Sequence, residues 1–125
     1  MFRIKLIIEY DGSNYVGWQR QENGKSVQGE IESSLKKIFN ENIELTVAGR
    51  TDAGVHAFGQ VAHFDLKKKK IDENKIHKAI NFFLKKTNNS ITVLSSKYVS
   101  QSFHSRFSVK KKIYLYKIHN RETNS

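Results

Sequence analysis

The sequence predicts a single α+β domain in which two amphipathic helices cover one face of a mainly antiparallel sheet. Two patterns indicate this class. Apolar residues alternate with polar ones over short segments, as in half-buried strands, and recur every three or four positions elsewhere, as in helices. The chain has 125 residues, a length typical of one domain, and no internal repeat, heptad run or linker divides it.

The first half of the chain contains two predicted strands with a helix between them. Alternation over residues 2–10 predicts the first strand, and the segment DGSNYVGWQRQENGKS, rich in Gly, Asn and Ser, predicts a long loop. Ser26 is a suitable N-cap for the helix. Its apolar face consists of Val27, Ile31, Leu35, Ile38 and Phe39. Alternation over residues 43–47 then predicts a second strand.

The second half repeats this alternation of strands and helix. Residues 60–66 predict a third strand, and Asp72 is placed to cap a second helix. The apolar face of that helix consists of Ile76, Ala79, Ile80, Phe83 and Leu84. Residues 91–94 and 113–118 predict two further strands. This order predicts a ferredoxin-like split βαβ sandwich, whose free sheet face often binds RNA or packs against another domain.

Composition narrows the function classes. The formal charge is +10, from 22 Lys and Arg against 12 Asp and Glu. This surplus favours polyanionic partners, although a skewed base composition of the gene would also produce many lysines. The absence of Cys excludes disulfides, thiolate metal sites and cysteine nucleophiles, so we expect a cytoplasmic protein. The first twelve residues are too short and too charged for a signal peptide or membrane span, and we expect no membrane partner.

The segment GRTDAGVH, residues 49–56, contains the densest cluster of reactive side chains. A cation, a hydroxyl, a carboxylate and an imidazole lie within seven residues, between glycines that permit tight turns. Asp52 is a candidate nucleophile, because a carboxylate attacks well when a neighbouring cation keeps it ionised. The alternative is an ordinary turn in which Asp52 accepts backbone N–H bonds.

Other chemistries find less support. His56 with His63 or Asp52 matches no zinc or two-metal spacing, so we expect no metal. A His-Asp-Ser relay using Ser102 or Ser105 is permitted by composition only. The glycines near the start lack phosphate-loop spacing, so we expect no nucleotide cofactor.

Aromatic and basic side chains occur together in two regions, one in the first loop and one late in the chain. Aromatic rings stack on bases while basic side chains hold phosphates. For Phe103, Phe107 and Tyr116, the alternative is packing in the core. The aromatic residues are Tyr10, Tyr15, Trp18, Phe103, Phe107, Tyr114 and Tyr116, and the cations are Arg20, Arg106, Lys110, Lys111 and Lys112.

Four collinear blocks resemble the successive motifs of the TruA family of tRNA pseudouridine synthases. The blocks are EYDGSNYVGWQRQ, SVQGEIESSLKKI, AGRTDAGVHAFGQVAHF and FHSRFSVKKKIYLYKI. The resemblance spans nearly the whole chain, and AGRTDAGVHA is a very specific string.

The resemblance implies an isomerase that converts uridine to pseudouridine in the tRNA anticodon stem-loop, at positions 38–40, with no metal and no cofactor. Asp52 matches the catalytic aspartate, which attacks the uridine or its ribose. Arg50 matches the arginine that extrudes the target base and takes its place, and Tyr114 matches the tyrosine that stacks on that base. The remaining candidates for RNA binding are Thr51, Arg20, Arg106, Lys110, Lys111 and Lys112.

Two departures from the family pattern qualify this expectation. NFFLKKTNNSI stands where the family usually has Asn-x-x-Leu-Pro, and family members are about twice as long. Residues 1–125 are thus expected to be the N-terminal ferredoxin-like catalytic domain, without the C-terminal half that supplies the basic partner of Asp52. We expect a chain that is folded but silent alone, and that forms a homodimer or associates with a complementary half. The alternative is an RNA-binding ferredoxin-like fragment without catalysis.

Overall fold

A computed structural model of the protein describes residues 1–15, 26–48, 57–68 and 71–105. Within these ranges it contains four strands, two α-helices and a short 3₁₀ turn at Gly12–Asn14. The strands and helices, in chain order, are β1 (Phe2–Tyr10), α1 (Val27–Phe39), β2 (Thr46–Val47), β3 (Ala57–Leu66), α2 (Glu73–Lys86) and β4 (Ile91–Val99). The strand predicted over residues 113–118 lies outside the described residues.

The four strands form one sheet in the order β2-β3-β1-β4, and every pair of neighbours is antiparallel. β1 is central and pairs along its length with β3 on one side and β4 on the other. The predicted α+β class is confirmed, and the order is consistent with a ferredoxin-like fold.

The core lies between one sheet face and the two helices. Ile4, Leu6 and Ile8 of β1 are fully buried, as the alternation predicted, and they share one hydrophobic cluster with residues of both helices. On α2, the predicted apolar face is narrower than expected: Ile76, Ile80 and Leu84 are buried, whereas Ala79 and Phe83 are only half-buried.

The helix ends follow local chemistry. The hydroxyl of Ser26 accepts a hydrogen bond from the N–H of Gly29 at 3.1 Å, so the predicted cap of α1 is confirmed. The last residue of α1, Phe39, is followed by the C-cap Asn40, which adopts a left-handed conformation with φ 54°. Asp72 occupies the N-cap of α2 as predicted, but its side chain makes no capping hydrogen bond.

Three strand predictions had wrong bounds. β3 begins at Ala57 rather than at residue 60. β4 extends to Val99 rather than ending at Leu94, because its polar continuation pairs with β1 and is also held by hydrogen bonds with α2. The hydroxyl of Ser96 accepts the N–H of His77 at 3.0 Å, and the N–H of Tyr98 donates to the Glu73 carboxylate at 3.0 Å. β2, predicted over residues 43–47, pairs only over Thr46–Val47.

Candidate functional site

The predicted reactive segment is held between two paired strands, although residues 49–56 themselves lie outside the described residues. On one side, the N–H of Ala48 donates to the carbonyl of Val61 at 3.0 Å. On the other side, β3 begins at Ala57, whose backbone pairs with Tyr10 at the end of β1. The segment carrying Arg50, Thr51 and Asp52 is therefore attached to the sheet at both of its ends.

The first loop begins at the same end of the sheet. Tyr10 is followed by Asp11, whose N–H donates to the carbonyl of Ser90 at 3.1 Å. The hydroxyl of Tyr15 donates to the Asn89 side chain at 2.8 Å and accepts the N–H of Ser90 at 2.9 Å. Tyr15 is thus buried as an anchor, so it is not available as the base-stacking residue that the sequence suggested. The segment with Trp18 and Arg20, residues 16–25, starts beside this anchor and lies outside the described residues.

The sheet face away from the helices carries charged side chains. Arg3 of β1 and Asp65 of β3 are direct cross-strand partners, and the guanidinium binds both carboxylate oxygens at 2.9 and 3.0 Å. The hydrogen bond from Arg3 is the main reason that the pKa of Asp65 is lowered, and the hydrogen bond to Asp65 raises the pKa of Arg3. We call this surface the second sheet face.

A short stretch after β4, residues 100–105, crosses the second sheet face; we call it the crossing segment. Arg3 donates through Nη1 to the carbonyls of Gln101, at 3.0 Å, and Phe103, at 2.6 Å. The Phe103 ring lies 5.6 Å from the ammonium of Lys5 and edge-on to His63. Of the two roles that the sequence left open for Phe103, core packing is wrong: the ring packs on the second sheet face, where it is only half-buried.

The crossing segment ends at a buried contact between Ser105 and His63 of β3. Nδ1 of His63 lies 2.7 Å from the Ser105 hydroxyl and accepts the Ser105 N–H at 3.2 Å. A backbone N–H only donates, so Nδ1 carries a lone pair and the imidazole is neutral. Burial, then the positive charge of Arg3 and the proximity of His104, lower the pKa of His63 to about 4. Ser105, the last residue that the structure describes, is therefore buried beside β3, the strand that follows the reactive segment.

This contact bears on the alternative of a His-Asp-Ser relay. Ser105 and His63 do meet, but Ser105 has 0% exposure and His63 only 4%, so substrate cannot reach the hydroxyl. The nearby carboxylate, Asp65, is paired with Arg3. Ser102 shares a hydrogen bond with Ser100 instead. Ser105 is therefore a structural residue bound to His63, rather than a nucleophile.

We expect acid to weaken the contact between His63 and Ser105. The pKa of His63 is about 4 in the folded chain and about 6.5 when unfolded, so its contribution to stability is complete above pH 6.5 and declines as pH falls towards 4. Urea unfolding should show a loss of about 2 kcal/mol between pH 7 and pH 4.5. In His63→Asn the amide oxygen still accepts the Ser105 N–H but does not titrate, so this loss should largely disappear. Equal losses in both proteins would contradict the assignment.

None of the predicted site residues lies in the part of the chain that the structure describes. Arg50, Thr51, Asp52, Arg20, Arg106, Lys110, Lys111, Lys112 and Tyr114 all lie outside the described residues. Sequence reasoning missed Arg3 and considered His63 only as a metal ligand, whereas both residues hold the crossing segment. The alternation of residues in β1 and β3 indicates that both side chains lie on the second sheet face. It does not indicate that residues 100–105 contact them there. Among the described ranges, no group of three or more His, Asp or Glu is placed to hold a metal ion.

The fold and the second sheet face define the class of this protein. It is an α+β domain with helices on one sheet face and, on the other, a polar surface that residues 100–105 cross. The chain belongs to the tRNA pseudouridine synthase family, whose sequence model matches residues 6–108. In the part of the chain that the structure describes, no helix is long and apolar enough to cross a membrane.

Curated relatives support the same family. The chain is 50% identical over 121 residues to the tRNA pseudouridine synthase A proteins of Brucella ovis, Brucella canis and Brucella suis. The aligned region covers 97% of this chain and 48% of each relative. The chain therefore spans about half the length of the curated relatives it matches.

Proposed function

We propose that this chain is the N-terminal catalytic half of a tRNA pseudouridine synthase that isomerises uridines of the anticodon stem-loop. The observation that carries the proposal is the family match over residues 6–108, which includes the intact string AGRTDAG. The paired strands that flank that string, β2 and β3, support the proposal, because catalytic residues often lie in segments that connect the elements of a rigid scaffold.

In this proposal Asp52 is the nucleophile. Its carboxylate attacks the uridine or its ribose, the N1–C1′ glycosidic bond breaks, and the uracil rotates. A C5–C1′ bond then forms and the carboxylate is released, while C5 loses its proton and N1 gains one. Neither metal nor cofactor is required, because no electrons leave the substrate and the broken and formed bonds balance.

The other candidate residues would handle the RNA. Arg50 would extrude the target base and occupy its place, since a stacked uridine hides the reacting atoms. Tyr114 would stack on the extruded base. Thr51 and the basic residues Arg20, Arg106, Lys110, Lys111 and Lys112 would bind the tRNA backbone.

We also propose that the chain works in the cytoplasm and associates, as a homodimer or with a complementary C-terminal half. The outer edge of β4 supports the association, although α2 covers part of it: Asn81 bonds the N–H and the carbonyl of Val93, and the Glu73 carboxylate accepts the N–H of Tyr98. β4 is nine residues long, and within the described ranges no strand pairs with its outer side. An unpaired strand edge is a template for a further strand.

Tritium release from tRNA that contains [5-³H]uridine tests the proposed function. We expect the chain alone to bind tRNA without releasing tritium, because the basic partner of Asp52 would come from the other half. Co-expression with the C-terminal half of a full-length relative should restore multiple turnovers.

The same assay separates the two readings of the chain. Binding without release, even in the presence of the complementary half, would contradict catalysis and favour an RNA-binding fragment. Multiple turnovers by the chain alone, in a strictly monomeric state by sedimentation, would contradict the need for a second half.

A further inference from the structure

The outward side of α2 carries an exposed phenylalanine among lysines. Phe82 is 59% exposed, more than half of its side chain, at a helix position that faces solvent. The surrounding lysines lie seven and four residues before it and three and four residues after it, so they share its side of the helix. These exposed lysines are Lys75, Lys78, Lys85 and Lys86.

Phe82 is part of an aromatic pair with cations on both rings. The rings of Phe82 and Phe83 meet edge to face, with centroids 5.3 Å apart and an interplanar angle of 82°. The ammonium of Lys86 lies 5.3 Å from the Phe82 ring centre, and that of Lys37, from α1, lies 5.7 Å from the Phe83 ring centre. We call Phe82, Phe83 and these five lysines the α2 patch.

The positive charge of the α2 patch is only slightly offset by its own helix. Asp72 contacts Lys75 at the N-terminus of α2, at 4.0 Å, where both side chains are exposed. The other acidic residue of the first turn, Glu73, is directed to β4, where its carboxylate accepts the N–H of Tyr98. A merely solvated helix face usually mixes both signs of charge and lacks a large exposed aromatic ring.

We propose that the α2 patch binds unpaired nucleotides of an RNA. One base stacks on Phe82 while the lysines neutralise the adjacent phosphates. Aromatic rings stack any base, and ammonium groups attract any phosphate, so the site selects single strands rather than a sequence. A duplex fits less well because its base faces are already stacked.

The α2 patch is separate from the proposed catalytic site. Ile76, Ile80 and Leu84 pack inward in the core between the helices and the sheet, so the exposed side of α2 points away from the sheet. The crossing segment, in contrast, lies on the second sheet face with Arg3 and His63. RNA binding at α2 therefore stands or fails independently of the role of Asp52.

Binding of a fluorescein-labelled 12-nucleotide oligouridylate to the 125-residue chain tests this inference. We expect Phe82→Ala to weaken binding about tenfold, or about 1.4 kcal/mol, within the range of one stacked base. The matched control is Phe2→Ala, at a phenylalanine that is 42% exposed and lies edge-on to Tyr98. Phe2→Ala should change the affinity for the oligouridylate less than twofold. Phe82→Ala should likewise change the affinity for a duplex RNA of equal length less than twofold.

A lysine pair tests the electrostatic part. Replacing Lys85 and Lys86 with Gln should make the dependence of log K on log salt less steep, whereas the same replacement of Lys67 and Lys68 should not. Both pairs are exposed and lose equal charge. A 4-thiouridine in the oligonucleotide should crosslink to the peptide that contains Phe82, and this readout locates the site directly.

Several outcomes would overturn the proposal. Equal affinities of Phe82→Ala and Phe2→Ala, or crosslinks only outside α2, would remove Phe82 from RNA binding. An equal loss with duplex RNA would indicate charge attraction without stacking. Binding to anionic phosphatidylserine vesicles without RNA binding would indicate a lipid surface. Concentration-dependent sedimentation abolished by Phe82→Ala, without any effect on RNA, would indicate a contact between copies.

Discussion

Replacing Asp52 with Asn is expected to abolish pseudouridine formation by the chain assembled with a complementary half, while tRNA affinity falls less than about tenfold, or about 1.4 kcal/mol. The amide has nearly the shape of the carboxylate but is not a nucleophile, so the glycosidic bond cannot be broken by this route. Binding persists because most of the affinity for tRNA comes from contacts with phosphates, which this change leaves in place. Tritium release and a filter-binding titration measure the two quantities separately.

The matched control for this variant is Asp72→Asn. Asp72 is an exposed carboxylate at the N-cap of α2, its side chain makes no capping hydrogen bond, and its contact with Lys75 is long, at 4.0 Å. The same chemical change there should leave turnover at the parental rate. Turnover by Asp52→Asn at anything near that rate would remove Asp52 from the mechanism.

Arg50→Lys is expected to lower turnover at least about a hundredfold, or about 2.7 kcal/mol, although the positive charge is retained. Only a planar guanidinium can stack in the gap left by an extruded base while its fork of N–H groups bonds neighbouring acceptors. Single-turnover tritium release with tRNA at saturation measures this effect without a contribution from binding.

Arg50→Gln is the informative comparison, because glutamine removes the charge but keeps a planar end group. If the planar fork matters, the lysine and glutamine variants should be impaired to a similar degree. Near-normal turnover of the lysine variant with a strongly impaired glutamine variant would show that Arg50 acts as a point charge.

The sequence predicted the elements well wherever a single period dominated. Alternation in β1 identified Ile4, Leu6 and Ile8, and all three are fully buried. A capping residue followed by helical spacing placed the start of α1 at Ser26. The end of β4 was predicted too early, because Ser95, Ser96 and Lys97 read as a polar segment. Their strand conformation depends on pairing with β1, from which they are about ninety residues distant.

The candidate site was predictable only as a set of residues. The string AGRTDAG singled out Arg50, Thr51 and Asp52, because it combines reactive groups with glycines. Nothing local indicated that Arg3 would hold the carbonyl of Phe103, or that Ser105 would be buried against His63. These contacts join parts of the chain that are far apart in sequence.

The sequence by itself determined the α+β class, the core face of β1, the cap of α1 and the motif that identifies the family. These properties follow from local periodicity and from residue types, which each segment carries whatever its neighbours are. The tertiary structure alone decided the strand order β2-β3-β1-β4, the path of residues 100–105 across the second sheet face, and the isolation of Phe82 among lysines. The physical reason is that periodicity shows which side chains share a face but not which strand, helix or loop meets that face. Those choices depend on pairing and packing between distant segments, and they appear only once the chain has folded.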